Sequence, residues 1–258
     1  MNLADKLVDF EDDPGPMKVL VYGDPGVGKT VFAASAPKPL FIDVERGMRS
    51  LKNHPEIAKD VQRFPLASMK ELEDLFWAIK DGSIGADRQT IVFDTFSALQ
   101  KKHLDEILLE GNKKDHNKNP YLATQGDYKA NTQLLRRLII NFCELDKFHI
   151  VVLTHTTEAK DEYTGQLLLR PSLTPKLTET FEEVMDVYCY LTSETNGEGK
   201  TVRRIQLSPG TRVKAKNRIG GLPPVLVDPT FSVLLKGGSN ESVLPVQEEA
   251  ESVQLPSK

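Results

Sequence analysis

Two cysteines, Cys143 and Cys189, are all that the 258 residues contain. Each sits in a largely apolar segment, so buried reduced thiols are expected rather than a disulfide or a thiolate metal site. Long hydrophobic runs are missing as well. The longest, such as Ile150-Val-Val-Leu153, are far too short to span a bilayer, so no membrane partner is expected. No basic-then-apolar leader opens the chain, because residues 1–16 are acidic, and a cytoplasmic location follows as an expectation. No internal repeat and no interior linker interrupts the pattern.

What remains is ordinary globular composition, with 39% hydrophobic and 27% charged residues. A chain of this length could hold one large domain or two small ones, and one α/β domain of this size buries a substantial core. The net charge of −4 is unevenly spread. Residues 1–16 carry Asp5, Asp9, Glu11, Asp12 and Asp13 against Lys6, and residues 237–258 carry Glu241, Glu248, Glu249 and Glu251 against Lys258. The body between these acidic ends is mildly basic. That balance fits nucleic-acid binding tempered by competing tails, and equally fits ends that merely solubilise. Three parts are expected: an acidic segment over 1–16, an α/β domain over 17–236, and a polar tail over 237–258 that reads as disordered.

Apolar runs place strands at 17–22, 39–44, 90–94, 149–154, 186–192, 202–207, 211–215 and 231–235. Helical patterns lie near 29–36, 69–80, 97–110, 127–145 and 173–183. Strands alternating with helices predict a mainly parallel sheet flanked by helices. The closely spaced later strands predict an antiparallel extension at the carboxyl-terminal edge. Residues 111–120 read as an exposed loop.

Gly23-Asp24-Pro25-Gly26-Val27-Gly28-Lys29-Thr30 follows the first strand and opens the first helix. That order aims backbone N–H groups and the positive end of a helix at one point, which suits a polyphosphate. Lys29 would reach the β- and γ-phosphates and the Thr30 hydroxyl would ligate Mg²⁺, so ATP and Mg²⁺ are the expected ligands. Thr90-Ile-Val-Phe-Asp94 is a buried strand ending in an acid, which places Asp94 at the same sheet edge as a second Mg²⁺ ligand. Leu40-Phe-Ile-Asp43-Val-Glu45 ends in acid too. Glu45 is the candidate to polarise the attacking water, with surface pairing to Arg46 or Arg49 as the competing reading. Asp43 has the same look but is expected to face a different side. Ile150-Val-Val-Leu-Thr-His155 puts His155 where it would sense a γ-phosphate. The segment after it carries Lys160, Tyr163, Arg170 and Lys176, a mixture of cations and an aromatic that suits single-stranded nucleic acid or an ordinary surface hairpin. Arg212, Lys214, Lys216 and Arg218 alternate, as on one strand face. They form either a solvated basic edge or a source of cations delivered in trans to a γ-phosphate.

Taken in order, Gly23–Thr30, Phe41–Glu45, Ile91–Asp94, Thr154-His155 and Gly210–Ile219 resemble the RecA-like recombinase ATPases. The likeness is greatest to the short phage-encoded members associated with single-strand annealing and recombination, and it covers roughly residues 17–235. It implies a RecA-type P-loop NTPase core and a DNA-stimulated ATPase. Glu45 would activate water, Asp94 would serve the metal, and the segment after His155 would contact DNA. The loop with Lys113, Lys114 and Lys118 falls where the family has its other DNA-contacting loop. Lys216 and Arg218 match the pair that reaches the nucleotide of the adjoining subunit. Typical bacterial members have glutamine where this chain has His155, whose charge varies near neutral pH. The length leaves no room for the extra terminal domains of full-length recombinases, so filament formation or annealing is expected rather than strand invasion alone.

The expectation is therefore an ATP·Mg²⁺-dependent protein that binds single-stranded DNA and self-assembles into a filament or ring, with hydrolysis at subunit boundaries. Hydrophobic Leu3, Leu7, Val8 and Phe10 offer a segment that docks onto a neighbour or caps its own domain. A single-stranded-DNA-binding protein is a further candidate partner. A ring-forming helicase motor, a small-molecule kinase and a nucleotide-dependent switch are the rival readings, although no compact basic lid of a kinase is visible.

Overall fold

A computed structural model describes residues 15–160, 165–197 and 199–237. The first strand shows why the sheet is central. In β1 (Lys18–Tyr22), Val19 and Val21 point to one face while Leu20 and Tyr22 point to the other, and all four are fully buried. β4 (Thr90–Asp94) and β5 (His149–Thr154) follow the same rule, as do the five buried residues of β2 (Pro39–Asp43). Strands with helices on both faces have no solvent side, so their sequences read as unbroken apolar runs.

Nine strands of the described residues form one sheet in the order β11-β9-β8-β1-β5-β4-β2-β3, with β10 pairing beside β8. Here β3 is Gln62–Pro65, β8 Val187–Thr195, β9 Thr201–Gln206, β10 Lys216–Asn217 and β11 Val225–Val227. The pairings β8–β1, β1–β5, β5–β4, β4–β2 and β2–β3 are parallel. Those of β8 with β9, β9 with β11 and β8 with β10 are antiparallel. A mainly parallel sheet with an antiparallel extension is the expected architecture.

One face packs on α3 (Met69–Lys80), α4 (Phe96–Lys114), α5 (Gln125–Cys143) and α6 (Pro175–Val184), with Phe93, Phe96, Phe142 and Phe181 at its centre. Their rings meet edge to face, with centroids 5.0 Å apart for Phe93–Phe142 and for Phe96–Phe181. The other face is covered by α1 (Lys29–Ala34) and α7 (Phe231–Leu235) through Phe32, Ala33, Phe231 and Leu234. Capping starts the helices where the pattern predicts. Ser68 accepts from the Glu71 N–H at 3.2 Å, and Thr124 and Asp127 form a reciprocal capping box at the head of α5.

Three expected elements are different. Residues 231–235 form α7, not a strand: Phe231 and Leu234, three apart, bury one helical face, and the Phe231 N–H donates to Ser35 Oγ at 2.8 Å. Short apolar runs fit either period, and packing against α1 decides this one. Residues 211–215 are irregular, making a single bridge between Val213 and Leu169, and β10 begins only at Lys216. The supposed loop at 111–120 is helical as far as Lys114. Unforeseen elements are β3, α2 (Pro55–Ala58), β11 and a 3-10 turn at Met48–Asn53. Among the described residues no helix is long and apolar enough to cross a membrane, and both cysteines are buried and free. Residues 1–14 of the acidic segment 1–16, with Leu3, Leu7, Val8 and Phe10, and residues 238–258 of the tail lie outside the described residues, as does Tyr163.

Candidate nucleotide site

Because the central strands are parallel, their carboxyl ends meet at one sheet edge, where ligands of open α/β sheets bind. The loop 23–28 leaves β1 there. Gly23 packs so closely on β8 that a Cβ would lie 2.4 Å from the Leu191 carbonyl oxygen, and Gly28 adopts φ 102°, open to glycine and strained for other residues. α1 then begins at Lys29. Lys29 is buried, and its ammonium donates to the carbonyls of Gly23 (2.7 Å) and Asp24 (2.8 Å). Burial holds its pKa below the usual lysine value, opposed by the charges of Asp94 and Glu45.

Asp94 ends β4 and accepts the Thr30 hydroxyl at 2.9 Å. Burial raises its carboxyl to about 6, and the neighbouring Glu45 and Asp43 charges push the same way. A buried carboxylate beside a hydroxyl is short of positive charge, which a divalent cation supplies. The two predicted metal ligands are therefore side by side.

Glu45 and His155 come together across 110 residues of chain: His155 Nε2 lies 2.9 Å from Glu45 Oε1. The same oxygen accepts the Thr95 hydroxyl at 3.1 Å. The His155 bond holds the Glu45 carboxyl below the ordinary glutamate range, so at neutral pH it is an ionised acceptor and Nε2 is the donor. Its partner is His155, not Arg46 or Arg49. Asp43 does not face away from the site: it ends β2 opposite Asp94 and its charge acts on that carboxyl, while it is buried against the Arg63 guanidinium and accepts the Arg46 N–H at 2.7 Å. The backbone of His155 is held too: its N–H donates to Ser97 Oγ at 2.8 Å, and its carbonyl accepts the Ser172 N–H at 2.7 Å. Thr95 and Ser97 were not anticipated. Their only sequence signal is the pair of hydroxyl residues flanking Phe96 directly after Asp94.

His155 leads into the antiparallel hairpin of β6 (Thr156–Lys160) and β7 (Leu167–Pro171), the plain alternative foreseen for this segment. Tyr22, the last residue of β1, ties that hairpin to the basic segment behind it. Its hydroxyl lies 2.6 Å from the Lys214 carbonyl and 3.3 Å from that of Leu169.

The remaining candidates are dispersed. Lys216 and Arg218 donate to the carbonyls of Glu182 (Lys216) and Glu183 (Arg218, 3.1 Å), capping the end of α6. By register they sit beside Tyr188 and Asp186, level with the first half of β1 and away from the loop that follows its end. Lys214 pairs with Glu182 and Arg212 with Glu158, so the four alternating cations are engaged within the chain. Lys113 and Lys114 end α4 exposed to solvent. Lys118 is committed to Asp127 at 2.6 Å. Lys160 is exposed on β6, Arg170 is half-buried on β7, and Lys176 pairs with Glu179 at 3.0 Å.

A family model described as an AAA domain matches residues 15–219, most of the chain. The chain belongs to the AAA-domain family. No curated protein matches it. This AAA domain is a P-loop NTPase-type protein, and its residues fit a Mg²⁺-nucleotide. The loop narrows at Gly23 and Gly28 where a bulkier residue would intrude, and Thr30 and Asp94 meet. Thr154 Oγ1 and His155 Nδ1, at the end of β5, are buried polar atoms with no protein partner. Bound Mg²⁺ neutralises charge on phosphate oxygens. Lys29 would exchange loop carbonyls for phosphate, and Glu45 supplies an ionised carboxylate oriented by Thr95 and His155.

Proposed function

We propose that this AAA domain is an ATPase that assembles on single-stranded DNA and acts in phage-type recombination or single-strand annealing, hydrolysing ATP at the boundary between two copies. The observation that carries the reading is the His155 junction. One side chain touches the water-activating candidate Glu45, and the same residue opens the hairpin on which DNA contacts were expected. A change at the γ-phosphate side would thus pass to the hairpin through one residue and its Ser172 bond.

One further feature supports it. Tyr121 is 88% exposed in the turn that follows α4, about seven residues along the sequence from Lys113 and Lys114, an aromatic face of the kind on which unpaired bases stack. The test is ATP turnover with and without single-stranded oligonucleotide, together with negative-stain imaging of the same sample. The expected result is stimulated turnover and open filaments that dissolve as salt rises. Closed rings would favour a helicase-like motor. Turnover indifferent to oligonucleotide, with monomers in the images, would refute the proposal.

A further inference from the structure

β9 runs antiparallel to β8, so its first residues lie at the sheet edge where the phosphate loop leaves β1. Ile205 of β9 packs in the core cluster beneath α1 together with Phe32 and Ala33. Arg203, two residues earlier, faces the same side by strand alternation and meets the loop that opens α1. The contact is close: a Cβ on Gly28 would fall 2.3 Å from Arg203 Nε and 2.9 Å from its Cδ. The strand is pinned at this point, because the Arg203 N–H donates to Asp228 Oδ1 at 2.9 Å and its carbonyl accepts the Asp228 N–H at 2.7 Å. The guanidinium is not. Nε is buried without a hydrogen-bond partner, and among the described residues no carboxylate pairs with the side chain. A half-buried arginine has a strong need for an anion, and its planar fork suits phosphate oxygens.

We propose that Arg203 is a phosphate-binding residue of the nucleotide site, a second cation supplied by the same chain from the antiparallel edge. Lys29 enters from the first turn of α1, and Arg203 closes the loop from the opposite flank at Gly28. The inference rests on the nucleotide reading of the phosphate loop and is independent of DNA or assembly.

The test is equilibrium titration with N-methylanthraniloyl-ATP in Mg²⁺ buffer, followed by competition with inorganic tripolyphosphate, for wild type, Arg203→Gln and Arg203→Lys. The glutamine variant keeps the packing stem, and its nucleotide-free melting temperature reports whether the fold survives. The expected result is binding weakened about tenfold to a hundredfold by Arg203→Gln, as for a lost charged hydrogen bond. Tripolyphosphate competition should fall by the same factor, and Arg203→Lys should recover only part of it. Unchanged nucleotide affinity in a folded Arg203→Gln would overturn the inference and leave the nucleotide reading intact. So would weakened ATP binding with unchanged tripolyphosphate competition, since the arginine would then read base or sugar. A wild type that binds neither probe would sink both.

Discussion

Replacing Asp94 by asparagine should stabilise the protein in the absence of ligand and abolish its stabilisation by Mg²⁺-nucleotide. Burial lifts the Asp94 carboxyl from 3.8 to about 6. A shift of about two units corresponds to roughly 3 kcal/mol at 1.36 kcal/mol per unit. The sign follows from proton linkage. Between pH 3.8 and 6 the folded protein holds a proton that the unfolded chain releases, so ionised Asp94 costs stability fully above about pH 6. That cost shrinks as pH falls and vanishes below the unfolded value. Asparagine removes the charge and keeps an oxygen to accept the Thr30 hydroxyl. Allowing about 1 kcal/mol for the weaker neutral hydrogen bond leaves a gain of roughly 2 kcal/mol at pH 7.5. For a domain of this size that is about 4–8 °C in melting temperature. The assay is thermal unfolding followed by circular dichroism, with EDTA and no nucleotide, at pH 7.5 and again at pH 5. The gain should be smaller at pH 5. Adding Mg²⁺-ATP should reverse the order of the two proteins, because only the carboxylate holds the metal. In the wild type, Mg²⁺-dependent binding should itself fall roughly tenfold per pH unit below about 6. An Asp94→Asn protein that melts at or below the wild type in EDTA at pH 7.5 would refute the argument from burial.

Glu45→Gln should lower ATP turnover by about two to four orders of magnitude, the usual contribution of a general base, while nucleotide affinity measured by fluorescence stays unchanged. Tyr22→Phe leaves the Lys214 and Leu169 carbonyls without their shared hydroxyl donor. It should cost about 1–3 kcal/mol in denaturant unfolding and speed amide exchange in β6 and β7 before the main sheet. Asp127 is held down at about 2 by Lys118 and by the Thr124 capping bonds. Its depressed value contributes stability that is present above the ordinary carboxylate range and lost as pH falls toward 2. Asp127→Asn should therefore cost about 1 kcal/mol near neutrality, and the difference from wild type should fade in acid melts.

Legibility in this chain tracks whether a residue's physics is local. The phosphate loop and the doubly buried strands each carry their cause within a few neighbours, and each is readable without a fold. Asp94 and Glu45 needed one more step, that parallel strands deliver their ends to one edge, and the register supplies it. Residues whose partners are set by topology were misread or unseen. The alternation of Arg212 through Arg218 imitates one strand face, yet the chain is irregular until β10, and Lys216 and Arg218 turn to the open end of α6 because its last carbonyls need donors. Phe231 and Leu234 sit in an apolar run too short to declare its period, and only the surface of α1 makes it helical. Arg203 marks the limit most clearly. Nothing in Thr201-Val-Arg-Arg-Ile-Gln206 separates it from Arg204 beside it. Strand alternation sends one toward the phosphate loop and the other to the opposite face, where Arg204 lies 3.8 Å from Glu194. Which of two adjacent arginines meets the phosphate loop is settled by the pleat of β9 and by the antiparallel direction that brings its first residues to the edge where β1 ends.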